Sequence, residues 1–401
     1  MSLPLFPSPW ITEEHRMLQD SVARFFKERW VPRSAEWREA GMMGRETWLE
    51  AGKNGLLCAS MPEAYGGGGG DFGHDAVILL EQAKAATIGG FGGGLHSAIV
   101  GPYILHYGNE EQKQRWLPKM ATGELVSAIA MTEPGTGSDL QNVRTLARRV
   151  TDETGDHYVL SGQKVFITNG QNANLVVVVC KTDKAEGAKG ISLLVVEVER
   201  EDGTLVPGFR RGRNLDKIGM KAQDTSELFF DEVRVPVANL LGGPTAQPGE
   251  GEGQGFYQLM QELPQERLII AITGVGAMER ALSDTLAYTK ERKAFGKSVW
   301  SFQNTRFKLA EVQSHLLAAR ALVDACMVAH LKGELDAARA ALAKAWVSDL
   351  QCKVVDECLQ LFGGYGYMME YPIAELYADA RVQRIYGGTN EIMKELASRF
   401  M

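Results

Sequence analysis

The chain has 401 residues, enough for two or three domains at roughly 100–200 residues each. Hydrophobic residues make up 45% and charged residues 23%, an ordinary globular balance that excludes a disordered tail, a collagen and a channel. With 43 basic and 50 acidic side chains the net charge is −7, which suits the phosphate backbone of a duplex poorly, so no nucleic-acid partner is expected.

The five cysteines (Cys58, Cys180, Cys326, Cys352, Cys358) are odd in number and lie in predicted strands or helices, so they read as reduced core residues of a cytosolic protein. Cys352 and Cys358 do not have zinc-ligand spacing, and the histidines form no His-Glu-x-x-His, so no metal is expected. The N-terminal stretch has no basic residue before Arg16 and no long apolar run, unlike a secretory or transit segment. The apolar run Leu268 to Met278 is too short to span a bilayer. The expectation is a soluble, cytoplasmic protein with no membrane span.

Residues 1–125 read as helical, as in the amphipathic stretch Glu13 to Trp30 and the run Asp75 to Ala86, with Gly66 to Gly70 as an interrupting loop. Over 126–242 the pattern changes to β-branched and aromatic runs: 164–168, 175–180, 191–196 and 227–230. Turn signals at Asn169-Gly170, Gly190 and Asp202-Gly203 divide them. Several short strands in this span predict a β-barrel or sandwich rather than βαβ units. The Gly- and Pro-rich stretch from Gly242 to Gly255 reads as a connection. Within 243–401 the pattern is helical again, with Leu309, Val312, Leu316, Val323 and Met327 at three- and four-residue steps. The fold class expected is therefore α+β and multi-domain: helical, then β, then helical.

Gly274-Val-Gly276 lacks a third glycine at dinucleotide-binding spacing and follows no strand, so these glycines are read as close helix packing. The string Ala130-Met-Thr-Glu-Pro-Gly-Thr-Gly-Ser-Asp139 is more informative. It is a loop rich in unhindered backbone N–H groups, suited to an anion or a polar ring edge. It resembles the first signature of the acyl-CoA dehydrogenase family, flavoenzymes that desaturate acyl-CoA thioesters. Gly162 to Gly170, Glu291-Arg-Lys-Ala-Phe-Gly296 with Gln303, Gln360 to Tyr367, and Ile385 to Ile392 are similar to further signatures of that family, in the family's order. The resemblance covers essentially the whole chain and is nearest to the long-chain branch. It implies the acyl-CoA dehydrogenase fold, whose last domain is four-helix-bundle-like.

The same resemblance implies FAD as cofactor. It assigns Ile129, Met131, Thr132, Gly137, Phe166 and Thr168 to the flavin half, and Ser138 to the cofactor where phosphate or substrate polar groups pass. Arg292, Phe295, Phe302, Gln303, Leu361, Gly363 and Gly364 go to the pyrophosphate and adenine half, reached across a subunit interface. Thr389 and Glu391 are further cofactor contacts, and Ser138, Arg267 and Gly388 are expected to meet substrate. Flavin supplies hydride chemistry, and the protein supplies position and electrostatics.

Most family members carry a catalytic glutamate directly after the tyrosine of the last signature, but here that position is Gly387. Glu266, just after Pro264 and before Arg267, matches the place of the base in the long-chain and isovaleryl branches. By itself the pattern also suits a helix cap, with proline at the first position and an acid near the positive end of the dipole. Gly387 is expected to offer its backbone N–H to the thioester carbonyl. Gly89 to Gly94 read either as the wall of a deep acyl pocket or as tight helix packing. The implied activity is dehydrogenation of medium-chain, long-chain or branched acyl-CoA to the trans-2-enoyl-CoA. An electron-transferring flavoprotein is the implied acceptor, and a homotetramer built as a dimer of dimers the implied assembly. A flavin oxidase or monooxygenase on the same fold is the alternative.

Overall fold

The computed structural model describes residues 3–153 and 155–401. Seven helices precede the sheet: α1 (Glu13–Phe25), α2 (Ser34–Ala40), α3 (Arg45–Lys53), α4 (Phe72–Lys84), the single turn α5 (Gly93–Leu95), α6 (Gly101–Tyr107) and α7 (Glu110–Ala121). The starts of α1, α4 and α7 are set by Thr12, Asp71 and Asn109, each accepting a backbone N–H of the first turn. A π-helical turn, His96–Val100, joins α5 to α6.

Strands β1 (Ser127–Ala130), β2 (Leu146–Asp152), β3 (Gly155–Thr168), β4 (Leu175–Lys181), β5 (Ile191–Glu197), β6 (Phe209–Asn214) and β7 (Thr225–Pro236) form one sheet. Its order is β1-β4-β2-β3-β7-β6, with β5 also on β4. The continuous apolar run of β4 is explained by burial on both faces. Val176, Val178 and Cys180 point into the sheet's own core with Leu160, Leu194 and Phe230. Leu175, Val177 and Val179 pack under Tyr103, Ile104, Trp116 and Leu117 of α6 and α7. Strands β2 and β6 were not legible from pattern, because Arg148, Arg149, Arg210 and Arg211 put polar side chains where an apolar alternation is sought.

The chain then forms α8 (Gly255–Glu291), the short hairpin β8 (Lys293–Ala294) and β9 (Lys297–Ser298), α9 (Gln303–Leu331), α10 (Ala337–Phe362), α11 (Pro372–Ala380) and α12 (Asn390–Ser398). Helices α4, α8, α9 and α10 share one core, from Phe72 and Leu80 through Leu268 and Val275 to Leu316, Val347 and Val354. The glycines of α8 serve this packing. A Cβ on Gly276 would lie 2.8 Å from Ala83 of α4, and one on Gly274 3.0 Å from Val347 of α10. Among the described residues α9 is the one helix long and apolar enough to cross a membrane, but half of its apolar window is buried in this bundle. All five cysteines are free thiols, and only Cys352 is not fully buried.

Pro264 and Glu266 are not at a helix start. Helix α8 begins at Gly255, so Pro264 is internal and Glu266 lies about three turns in. The helix-cap reading of Glu266 is therefore wrong. An internal proline leaves the carbonyl four residues back without its bond, here that of Met260, which is exposed.

Candidate active site

The Ala130–Asp139 loop leaves β1 and is held from below by a buried ion pair. Lys164, wholly buried on β3, donates to Oε1 of Glu133 (2.9 Å) and to the carbonyls of Met131 (3.0 Å) and Val179 (2.7 Å). Glu133 also accepts from the Arg144 and Thr145 backbones and from the Thr145 hydroxyl. Burial pushes the Glu133 carboxyl up, but the Lys164 charge and these bonds outweigh it and hold it below the usual carboxylate value. The backbone N–H of Val165 donates to the Thr132 carbonyl at 2.9 Å, tying the loop to β3 beside Phe166 and Thr168.

At this point β3 is irregular. Its register with β7 shifts between Lys164 and Ile167, and Phe166 sits in the left-handed region at φ +61°. Such a bulge re-aims a side chain, and the Phe166 ring is thrown outward, 67% exposed. Ile129, Met131, Thr132, Phe166 and Thr168 are thus brought together. Gly137 and Ser138 lie farther along the same loop, exposed. A Cβ on Gly135 or Gly137 would meet nothing within 4 Å. An outward aromatic ring beside unhindered backbone fits a planar ring system carrying polar edges.

A second group forms where α8 ends. Arg292, Leu361, Gly363 and Gly364 line a hollow of about 620 Å³ together with Tyr288 and Tyr365. The Arg292 guanidinium lies 5.5 Å from the Tyr365 ring centre, and Gly363 and Gly364 also have open space where a Cβ would be. Phe295, 94% exposed, has its ring centre 6.2 Å from that of Phe302, the residue before Gln303 opens α9. An arginine over close-approach backbone suits a pyrophosphate. The residues present fit both halves of a flavin dinucleotide.

The third group surrounds Glu266, which is 6% exposed. The Tyr103 hydroxyl of α6 donates to its Oε1 at 2.7 Å. Burial raises the Glu266 carboxyl to about 7; the Tyr103 hydrogen bond and the Arg267 charge pull it down, while Glu262 pushes it up. Arg267 is buried beside it, and its Nε has no hydrogen-bond partner among the described residues. The 386–389 loop reaches the same helix. Gly387 is left-handed (φ +64°), and a Cβ there would collide with Cδ1 of Ile270, one turn after Glu266. Gly388 (φ +90°) gives its carbonyl to the buried Lys344 Nζ at 2.7 Å, and Lys344 also holds Asn390. Thr389 is the N-cap of α12, accepting from Ile392, and Glu391 is exposed in its first turn.

The π-helical turn links the first and third groups. His96 meets the Ser127 hydroxyl of β1 (2.9 Å), while Gln265 of α8 donates to the Ala98 carbonyl (2.7 Å). The second group is remote from the third. Arg292 follows Glu266 by 26 residues of continuous helix, about 39 Å at ~1.5 Å per residue.

The structure favours one of the two readings left open for the Gly89 to Gly94 stretch and adds a cluster that was not expected. Gly89 to Gly94 are packed rather than open. A Cβ on Gly90 would press on the Ala222–Gln223 backbone, one on Gly92 on Asn169, one on Gly93 on the Phe91 ring and one on Gly94 on Leu79. His15, Asp71 and His74 do place ligand atoms within 4.8 Å of one another, although no such cluster was expected. Both imidazoles take part in helix capping through Nδ1, with Thr12 and with Asp71. Tyr103, Glu133, Lys164 and Lys344 were missed. Lys164 lies inside a recognised motif and was findable there, whereas Tyr103 and Lys344 sit in helical runs with no local signal.

A helix–sheet–helix chain with a flavin-shaped loop, a pyrophosphate hollow and a buried carboxylate defines a flavin-dependent oxidoreductase. Residues 12–124, 128–233 and 253–401 match the acyl-CoA dehydrogenase N-terminal, middle and C-terminal domain families respectively. The chain is 50% identical to the long-chain specific acyl-CoA dehydrogenase, mitochondrial, of Sus scrofa, over 97% of this chain and 86% of that protein. An acyl-CoA dehydrogenase from Geobacillus kaustophilus superposes with a TM-score of 0.90 at 45% identity, covering 98% and 99% of the two chains. One from Bacillus anthracis, solved complexed with FAD, gives 0.86 at 30% identity over 99% of this chain and 68% of that one. The chain belongs to the acyl-CoA dehydrogenase family. It is an FAD-dependent oxidoreductase that dehydrogenates acyl-CoA.

Proposed function

We propose that the protein converts medium- or long-chain or branched acyl-CoA to the trans-2-enoyl-CoA, with Glu266 as the base for the α proton. The observation that carries this is a convergence. Gly387 occupies the position where most relatives hold their base, and it abuts α8 at Ile270, one turn from the buried Glu266. Two alternative anchors for one carboxylate therefore face one place. A carboxyl raised to about 7 is matched to taking a weakly acidic proton near neutral pH.

FAD would supply the hydride-accepting chemistry for the β hydrogen. The residues that would hold it are the 131–138 loop, Phe166 and Thr168 at the ring, and Arg292 with Gly363 and Gly364 at the pyrophosphate. The chain's own part is to break the Cα–H bond by accepting the proton on Glu266. Gly387 offers its N–H to the thioester oxygen as negative charge develops there. Because Arg292 lies about 39 Å along α8 from Glu266, the residue that acts beside the flavin ring in this reading, the pyrophosphate group is assigned to a partner's cofactor. That supports a dimer; the homotetramer of two dimers is carried over from the family resemblance alone. An electron-transferring flavoprotein is the proposed acceptor.

Anaerobic titration with an acyl-CoA series, following the flavin spectrum, tests the reading. Bleaching by saturated acyl-CoA, strongest for medium or long chains and slow to reverse in oxygen, is expected. A flavin that no acyl-CoA reduces would overturn it.

A further inference from the structure

Helices α6 and α8 run past each other with two polar rungs between them. Tyr103 donates to Glu266 at 2.7 Å, and His106, one turn on, meets Glu262 at 2.8 Å, one turn back. Tyr103 is wholly buried, and its hydroxyl makes no other hydrogen bond among the described residues. We propose that Tyr103 is the positioning residue of Glu266, fixing its Oε1 so that Oε2 is free to take the α proton, and holding the carboxylate in the proton-accepting form. This rests on the reading of Glu266 as the base.

The geometry divides the labour between two oxygens. An unanchored glutamate has three rotatable bonds, whereas a hydrogen bond on one oxygen orients the plane of the carboxylate and hence the second oxygen. Proton transfer then breaks the substrate Cα–H bond and forms O–H on Oε2, and Tyr103 keeps its own proton throughout. It can do so because burial and the adjacent Glu266 push its phenol well above the usual value, which makes it a donor at every working pH. A hydrogen bond to the ionised form opposes the desolvation that would otherwise leave Glu266 protonated and idle.

Among the described residues the charged and titratable groups about the pair lie on four helices, with His330 of α9 on the Gln265 amide oxygen (2.9 Å) and facing Glu262. Arg267 and Glu262 flank Glu266 on α8. His106 and Tyr107 of α6 face Glu262 rather than Glu266, and Lys344 of α10 is next to Arg267. Tyr103 is the one among them that hydrogen-bonds the base.

Tyr103→Phe in the FAD-loaded enzyme keeps the ring in its apolar bed and removes only the hydroxyl. The readout is an infrared titration of the protonated-carboxyl band that Glu266→Gln abolishes. The midpoint is expected near pH 7 in the wild type and higher by about one unit or more in Tyr103→Phe, the scale of one hydrogen bond to a charged group. The acid limb of flavin reduction should move by the same amount, and kcat should fall more than KM rises. FAD content should be unchanged. A Tyr103→Phe enzyme with an unmoved midpoint and acid limb overturns the proposal while leaving the base reading intact. Near wild-type flavin reduction by Glu266→Gln overturns the base reading itself.

Discussion

Glu133 and Glu266 show the same surface exposure, 6% each, with Glu266 the more deeply enclosed, and their proton affinities are driven in opposite directions. Glu133 has the Lys164 ammonium at 2.9 Å and three hydrogen bonds from residues 144 and 145, so its charge is fully compensated and it ties the flavin loop to the sheet. Glu266 has one phenol hydrogen bond and no cation within ion-pair distance among the described residues, so the cost of its charge remains. Surface exposure alone does not distinguish a structural carboxylate from a reactive one; depth of burial and the count of compensating donors together do.

The difference gives the two residues opposite failures on substitution. Glu266→Gln should slow flavin reduction by acyl-CoA by ~10²–10⁴, the scale of a lost general base, in rapid-reaction measurements. Glu133→Gln should leave the intrinsic chemistry but lower stability by about 3–5 kcal/mol, because Lys164 is left as a buried unpaired charge. Denaturant unfolding and FAD retention would show it.

Stability against pH separates them further. Glu266 binds its proton more tightly folded than unfolded, so the folded form is favoured below about pH 4.5. That contribution is lost as pH rises towards 7. At pH 8 Glu266→Gln should therefore be at least as stable as the wild type, with a gain of up to about 3 kcal/mol. Glu133 carries the reverse sign: its contribution is present above the unfolded carboxylate value and disappears on acidification. Melting curves of both variants across pH 4–8 would reveal any common sign, which the account does not allow.

Adding Gly387→Glu to Glu266→Gln should restore part of the lost rate, since both anchors face one place. Recovery should be limited by the left-handed backbone at Gly387 and by Ile270, where a misplacement near 1 Å costs about 10²-fold. The smallest effect concerns chain length. Replacing Gly93 or Gly94 by Ala should destabilise the fold by about 1–3 kcal/mol while altering turnover of short and long acyl-CoAs alike, because both sites are already filled. A selective loss for long chains would restore the pocket reading of these glycines.

What the sequence revealed tracks how local each feature is. The β4 and β5 runs were legible because burial on both faces makes them continuously apolar, and the family signatures carried the ring and pyrophosphate groups. Strands β2 and β6 were not, since their arginines serve surface and loop contacts such as Arg211 with the Ala173 carbonyl. The end of the Gly-rich connection at Gly255 was legible and is where α8 begins, whereas the cap reading of Glu266 failed because Pro264 reads as a first-turn residue while the helix continues through it. Tyr103 and Lys344 were invisible because their partners lie 163 and 44 residues away.

The central claim is that Glu266 takes the α proton. Exchange of the α hydrogen of a bound acyl-CoA with solvent deuterium isolates that step from hydride transfer and from the electron acceptor. The account predicts exchange by the wild type and by Glu133→Gln that retains FAD, and a fall of at least ~10² in Glu266→Gln. Exchange at the wild-type rate by Glu266→Gln would contradict it.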